Sequence, residues 1–234
     1  MKPLSLLAGC AGFALVLGNS NPPAHADIIT YDLTTTNLGS ASPPYVGPMD
    51  QIVVNLINPT TANVTFTSLT DASGYTYLFR SQNAAAVEVN SSSFTVSNIT
   101  ASNSLGNPPF TGPSPSNGGA TGILDGYGMF NASITLFDGF MASANEISFT
   151  LTDISGTWAS ASQVLTGNND NQPIGAEIGA YKASINFGDF TATGFSGDSV
   201  VVPPNTPVPE PASLALLGSA LASLGLLYRR RKLG

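Results

Sequence analysis

The chain has 234 residues, of which only 9% are charged, and its formal net charge at pH 7 is −7. With so few basic side chains it is a poor partner for nucleic acid, because binding to phosphate depends on lysine and arginine. The one cysteine is Cys10 and the one histidine is His25. The region after residue 26 therefore excludes disulfides, His- or Cys-ligated zinc and a Ser-His-Asp triad.

The N-terminus has the three parts of a secretory signal peptide. Lys2 supplies a positive charge, residues 4–17 form an interrupted apolar stretch, and Ala24 and Ala26 fit an A-x-A cleavage site. The pattern predicts a signal peptide over residues 1–26, export through the Sec machinery and cleavage by signal peptidase. A lipobox at Cys10 is the alternative, but this cysteine comes early and a stronger apolar stretch follows it.

Removal of the signal peptide leaves a strongly acidic body. Thirteen acidic side chains lie between Asp27 and Asp198, against two basic ones, Arg80 and Lys182, so the net charge of this region is −11. A surface of this sign repels nucleic acid and anionic membranes. Divalent cations and neutral, hydroxyl-rich polymers are the better candidate ligands.

Residues 27–202 have the size of one domain and a β pattern throughout. Apolar and polar residues alternate in short runs rich in Val, Ile, Thr and Phe, which suit a half-buried sheet. Clusters of Gly, Pro, Asn, Asp and Ser separate the runs. The pattern predicts an all-β domain, an antiparallel β-sandwich or a jelly-roll-like fold. Its predicted strands include residues 52–57, 64–69, 87–89, 94–96, 134–137, 147–151 and 185–187.

Two stretches interrupt the strand pattern. Residues 103–122 are rich in Pro, Gly and Ser and predict a long loop. Residues 203–211 are rich in proline and predict a semi-rigid, extended linker after the domain.

Few residues of the body suggest catalysis. A glycoside hydrolase needs two carboxylates facing one cleft, but the spacing of Glu88, Glu146 and Glu177 does not pair them. Glu88 alternates with valines, as a solvent-facing strand residue does. Trp158 is able to stack on a sugar, although a buried ring is the preferred prediction. We therefore expect no catalytic residue and a protein that is not an enzyme.

One Asn/Asp cluster is a candidate calcium site. Asp170 stands among Asn168, Asn169 and Asn171, and Ca²⁺ prefers carboxylate and amide oxygens. The cluster departs from the EF-hand pattern, because Pro173 stands where the turn glycine belongs. An Asx-rich turn without metal is the alternative. Asp170 is the single candidate ligand, and no other cofactor is expected.

The C-terminus joins a proline-rich motif, an apolar segment and a basic end. The seventeen residues 212–228 carry no charge and predict a transmembrane helix at the short end of the usual range of roughly 17–25 residues. The basic end predicts a cytoplasmic tail over residues 229–234 by the positive-inside rule. The motif consists of Val208, Pro209, Glu210 and Pro211, and the basic residues are Arg229, Arg230, Arg231 and Lys232.

The prolines of the motif keep Glu210 out of the following helix. Proline fixes its own φ and pushes the residue before it toward an extended conformation. The chain thus presents an extended carboxylate at the outer, non-cytoplasmic surface of the membrane that the helix spans, where a processing enzyme is able to bind it. A permanent anchor is the plainer alternative. A sortase signal would need L-P-x-T-G, and a GPI signal ends in its hydrophobic tail, whereas four basic residues follow here.

Residues 208–234 closely resemble the PEP-CTERM sorting signal of Gram-negative envelope proteins. The resemblance implies recognition by exosortase, a membrane protease-transpeptidase. It also implies transient membrane anchoring, then a place at the cell surface or in the extracellular matrix, usually with exopolysaccharide and biofilm. We expect a non-enzymatic surface or biofilm component. The alternative is an exopolysaccharide- or carbohydrate-binding module, and a glycoside hydrolase comes third.

Overall fold

The computed structural model describes residues 27–39, 44–80, 82–102, 113–116, 122–136, 143–182 and 191–202. Within these ranges the chain forms fourteen strands and one 3-10 helix of three residues, Ala161–Gln163. No helix in them is long and apolar enough to cross a bilayer. The predicted signal peptide, linker, transmembrane segment and basic tail all lie outside the described residues.

The strands follow one another along the whole body and are mostly short. In chain order they are β1 (Asp27–Thr36), β2 (Asp50–Asn58), β3 (Thr61–Ser68), β4 (Tyr75–Arg80), β5 (Ala85–Val87), β6 (Phe94–Ser102), β7 (Pro113–Ser116), β8 (Gly122–Leu124), β9 (Gly128–Phe130), β10 (Ala132–Leu136), β11 (Ser143–Ala144), β12 (Glu146–Asp153), β13 (Ile174–Lys182) and β14 (Ala192–Val202).

Twelve of these strands form one antiparallel sheet. Its order is β6-β12-β3-β2-β1-β14-β13-β5-β10-β7. On the side of β13 away from β14, both β5 and β4 pair with it, and β4 also pairs with β11. The sheet curls until β6 lies beside β7, so it is nearly closed. The strands β8 and β9 form a separate hairpin. The prediction of an all-β, antiparallel domain is confirmed.

The apolar core lies inside the curl because side chains alternate between the two faces of each strand. The inner positions of β2, β3 and β12 are buried, while their outer positions are largely half-buried or exposed. Phe66 packs against Phe149 and Phe79, with ring centroids 6.1 and 5.9 Å apart. The period-two pattern therefore predicts these strands correctly.

The sequence pattern misses β13 and β14, because their outer face is also covered. The β8–β9 hairpin lies against it and buries Leu124, Tyr127 and Phe130 in a second small core. A Cβ at Gly175 would lie 3.3 Å from both Leu124 and Phe130, and one at Gly197 would overlap the Tyr127 ring. A strand buried on both faces, such as β13, loses alternation, and β14 carries Gly197 where the hairpin approaches closely.

The remaining predicted elements have mixed outcomes. The loop predicted over residues 103–122 is wrong for Pro113–Ser116, which form β7 and pair with β10. Two prolines are tolerated there because β7 ends the strand order and has hydrogen bonds to a single neighbour. The strand predicted at residues 87–89 is only partly correct, because β5 ends at Val87. Val89 instead forms an isolated bridge to Leu165. Residues 185–187 lie outside the described residues.

A carboxyl group lies within the apolar core. Asp50 begins β2, is 0% exposed, and its Oδ2 accepts a hydrogen bond of 2.6 Å from the Ser196 hydroxyl. Its Oδ1 and the buried hydroxyl of Ser68, its neighbour on β3, have no hydrogen-bond partner among the described residues. Burial raises the pKa of Asp50 to about 8, although the bond from Ser196 lowers it. Asp50 is therefore largely protonated at neutral pH.

Replacing Gly197 by alanine tests the close packing of the hairpin on β14. We expect Gly197→Ala to lower the free energy of unfolding by about 1–3 kcal/mol, because the new methyl group overlaps the Tyr127 ring. The matched control is Gly39→Ala, which meets nothing within 4 Å and should change stability little. Urea unfolding of both variants is the measurement, and equal midpoints would contradict the packing.

Asp50 should make the folded state less stable as the pH rises. Its pKa is about 8 when folded and 3.8 unfolded, so between these values the folded state holds a proton that the unfolded state lacks. Each pH unit then removes up to about 1.4 kcal/mol of stability.

The variant Asp50→Asn has no such proton. From pH 5 to pH 7 the free energy of unfolding of the wild type should therefore fall by up to about 3 kcal/mol relative to that of the variant. Unfolding curves of both proteins across this range are the measurement. Parallel profiles would show that Asp50 does not carry the proton.

Candidate functional site

The outer positions of β3, β12 and β6 form a face of neutral polar side chains. Alternation sends the apolar residues of these strands inward, so that threonine, serine and asparagine remain outside. None of the outer residues is buried, and Glu146 is the only charged one among them. We call these twelve residues the hydroxyl face. Its rows across the three strands are Thr67–Glu146–Ser102, Thr65–Ser148–Thr100, Asn63–Thr150–Ser97 and Thr61–Thr152–Thr95.

Hydrogen bonds between neighbouring strands order the centre of the hydroxyl face. The hydroxyls of Thr65 and Ser148 lie 2.9 Å apart, and Thr150 donates to the Asn63 Oδ1 at 2.9 Å. The amide of Asn98 donates to the Thr150 Oγ1 at 3.3 Å. Each of these oxygens keeps a lone pair for a further partner. The face is thus a preformed set of donors and acceptors.

An open groove runs through the hydroxyl face at an irregularity in the sheet. The register of β12 and β6 shifts between Ser148 and Thr150, and nearby Asn98 has a φ of 50°. A β-bulge of this kind re-aims the side chain it carries. The groove has a volume of about 470 Å³ and is lined by Ile57, Thr61, Asn63, Asn98, Ser148, Phe149 and Thr150.

The calcium candidate Asp170 lies in a tight turn in which the side-chain oxygen of Asn168 is already hydrogen-bonded. The Oδ1 of Asn168 accepts hydrogen bonds from the backbone N–H groups of Asp170 and Gln172, both at 2.9 Å. The amide of Asn168 donates to the Tyr127 carbonyl at 2.9 Å. Among the described residues no three His, Cys, Asp or Glu side chains group together. The geometry matches the Asx-rich turn, and calcium binding at Asp170 stays a prediction.

The three glutamates of the body occupy separate environments. Glu88 is half-buried, and burial raises its pKa while a 2.9 Å bond from the Asn131 N–H lowers it. Its alternation with the buried Val87 and Val89 is present, although the Asn131 N–H lies against its carboxylate. Glu146 is exposed on the hydroxyl face, and Glu177 lies on β13. Four strands separate β12 from β13 in the sheet order, so the sheet does not place Glu146 and Glu177 side by side.

Trp158 is part of the core. Its ring is 2% exposed, and its Nε1 donates to the Asn90 carbonyl at 3.0 Å. The prediction of a buried ring is confirmed, so this tryptophan offers no open face to a sugar. Five tyrosines are buried as well: Tyr31, Tyr75, Tyr77, Tyr127 and Tyr181. The Tyr77 hydroxyl donates to the Asp71 carboxylate at 2.6 Å.

The hydroxyl face was missed at the level of sequence, although part of its signal is visible there. Residues 61–67 read T-A-N-V-T-F-T and residues 148–152 read S-F-T-L-T, with every second side chain polar and uncharged. The pattern predicts a solvated strand face. That three such strands are neighbours follows only from the pairing of β3, β12 and β6.

The sorting residues Val208, Pro209, Glu210 and Pro211 lie outside the described residues, as do Ala24, Ala26 and the four basic residues 229–232. Comparison with protein families nevertheless matches residues 207–232 to the PEP-CTERM protein-sorting motif. No curated protein and no solved structure matches the chain. The match spans the proline-rich motif, the apolar segment and the basic residues. The chain therefore carries the PEP-CTERM sorting motif at its C-terminus, the tail that exosortase processes.

Proposed function

We propose that the protein is a non-enzymatic component of the surface or extracellular matrix of a Gram-negative bacterium. Sec export and signal peptidase cleavage after Ala26 place the body outside the inner membrane. Residues 212–228 hold it there transiently as a transmembrane helix, until exosortase acts at the motif around Glu210. The single observation that carries this proposal is the sorting motif at residues 207–232.

The non-enzymatic role is supported by the composition of the body. The region after residue 26 contains neither histidine nor cysteine, so the commonest general base and the thiol nucleophile are missing. The β domain, a sandwich-like or jelly-roll-like fold around its main apolar core, would then serve as a rigid body, with residues 203–211 as an extended linker to the membrane.

A second candidate function is carbohydrate binding, as in a module for an extracellular polysaccharide. The observation that favours it is the open groove of the hydroxyl face, which amide and hydroxyl groups line. A glycoside hydrolase is the weaker third candidate, since four strands separate Glu146 from Glu177 in the sheet order.

The variant Glu210→Ala tests the sorting motif. Membrane insertion should be unchanged, because the substitution leaves residues 212–228 intact, but the processed form should fall at least about tenfold, since the extended carboxylate is lost. The matched control Thr206→Ala lies just outside residues 207–232 and should be processed as wild type.

Intact mass spectrometry of the surface protein from the native host is the measurement. Wild type should lack residues 212–234. Surface protein that still carries Arg229–Lys232 would show that the tail is an ordinary anchor. Equal processing of wild type and Glu210→Ala would show that the motif is not needed for processing.

Calcium binding at Asp170 is tested by thermal unfolding. If the ion binds, Ca²⁺ at a hundredfold excess over its dissociation constant stabilises wild type by about 2.7 kcal/mol, and Asp170→Ala abolishes the effect. The control Asp125→Ala removes another carboxylate, from the turn of the β8–β9 hairpin. Melting curves that do not respond to millimolar Ca²⁺ would exclude a calcium site.

A further inference from the structure

A second, smaller pocket lies beside the β8–β9 hairpin and shares no residue with the hydroxyl face. Its volume is about 220 Å³, and its walls come from β9, from the residue that follows β5 and from the turn before β13. Glu88 is the one charged side chain among the described residues that line it, and Met129 and Asn169 lie on its walls. The pocket therefore combines a carboxylate with an apolar side chain and an amide.

Hydrogen bonds hold the carboxylate of this pocket in place. The Glu88 N–H donates to the Pro173 carbonyl, and the Glu88 carbonyl accepts from the Thr166 N–H, both at 2.9 Å. The Asn131 side chain is bonded to the backbone of Val89 at 2.8 and 2.9 Å. The Asn131 N–H in turn donates to the Glu88 Oε2 at 2.9 Å. A pocket that is ordered in advance loses little conformational entropy when a ligand binds.

The Glu88 carboxylate is half-buried without a basic side chain beside it. Residues 27–202 contain two basic side chains, Arg80 and Lys182. Arg80 lies on β4 and interacts with Glu177. The Lys182 Nζ lies over the Tyr75 ring, 4.7 Å from its centroid. Burial raises the pKa of Glu88, because water is removed from its carboxylate. A cation that enters the pocket would therefore offset part of this desolvation cost.

The lining of the pocket favours an ammonium group over other ligands. The carboxylate repels an anion, and a neutral ligand would bury the charge further without compensating it. Calcium takes about six to eight oxygen ligands, yet the described residues hold no group of three His, Cys, Asp or Glu side chains. A guanidinium binds best to both oxygens of a carboxylate, whereas Asn131 already donates to one oxygen of Glu88. A single ammonium needs only the other oxygen.

We propose that this pocket binds a protonated primary amine on an alkyl chain, the group that ends both lysine side chains and aliphatic diamines. The ammonium donates to the Glu88 Oε1 and to the side-chain oxygen of Asn169. The alkyl chain packs on Met129, which is 45% exposed and has a flexible, apolar side chain. This site gives the body a ligand of its own and does not depend on the sorting motif.

Isothermal titration calorimetry of the purified full-length protein in a non-ionic detergent tests the proposal. The probes are 1,5-diaminopentane and its neutral analogue 1,5-pentanediol, which has the same chain length without the charge. Wild type should bind the diamine and not the diol. The variant Glu88→Gln keeps the size of the side chain but removes its charge, so its affinity for the diamine should fall about tenfold or more.

Two further variants locate the binding. Glu146→Gln removes an exposed carboxylate from the hydroxyl face and should bind the diamine as wild type does, which separates the pocket from the general attraction of an acidic body for cations. Met129→Thr removes the apolar wall at an exposed strand position and should weaken binding severalfold, because the alkyl chain loses its contact. Circular dichroism of each variant establishes that it is folded.

A third probe, N-acetyl-lysine methylamide, identifies the source of the amine. It carries the same ammonium on a peptide-like group, so tighter binding than that of the diamine would identify a lysine side chain of a partner, and weaker binding would identify a free diamine. Both results require Glu88 and support the pocket.

Four outcomes would overturn the proposal. They are no binding of either amine, equal affinity of wild type and Glu88→Gln, equal loss in Glu146→Gln, and binding of the diol as tightly as the diamine. A response to Ca²⁺ that requires Glu88, without a response to the amines, would also overturn it and make the pocket a metal site. Removal of residues 212–234 should be normal in all of these variants, so the sorting function is tested separately.

Discussion

The fold depends on the apolar side chains that a single curled sheet encloses. The body has no cysteine, so no disulfide supports it, and the described residues contain no helix beyond one 3-10 turn. Stability must then come from burial, in which the hydrophobic effect contributes about 25 cal/mol per Å² of apolar surface. The alternation of side chains across β2, β3 and β12 makes this burial continuous.

Once the inner face holds the core, the outer face is free to differ from one part of the sheet to another. Over β13 and part of β14 it is covered by the β8–β9 hairpin, whose Tyr127 ring leaves no room for a Cβ at position 197. Over β3, β12 and β6 it stays open and carries the hydroxyl face. The outer face of one sheet is thus packed against the hairpin in one region and open in another.

Acidic side chains lie both on the surface of this protein and in its core. Over residues 27–202, thirteen acidic side chains against two basic ones give the body a net charge of −11. Inside, Asp50 is protonated because burial costs a charged carboxylate more than the bond from Ser196 returns. Asp153, in contrast, is held below its ordinary pKa despite burial, since Ser91 and the N–H groups of Ser155 and Gly156 donate to it. The ionised Asp153 carboxylate stabilises the folded state above its unfolded pKa, and this stabilisation is lost as the pH falls through its lower, folded-state pKa.

The sequence by itself determined the sorting tail, the all-β class and the strands that are buried on one face, because each depends on local order along the chain. The tail is a linear signal, and β2, β3 and β12 alternate with period two. Only the tertiary structure decided the rest. It covered β13 and β14, turned Pro113–Ser116 into an edge strand, buried Asp50, half-buried Glu88 and made β3, β12 and β6 neighbours. These outcomes depend on pairing between residues far apart in the chain, which no local pattern records.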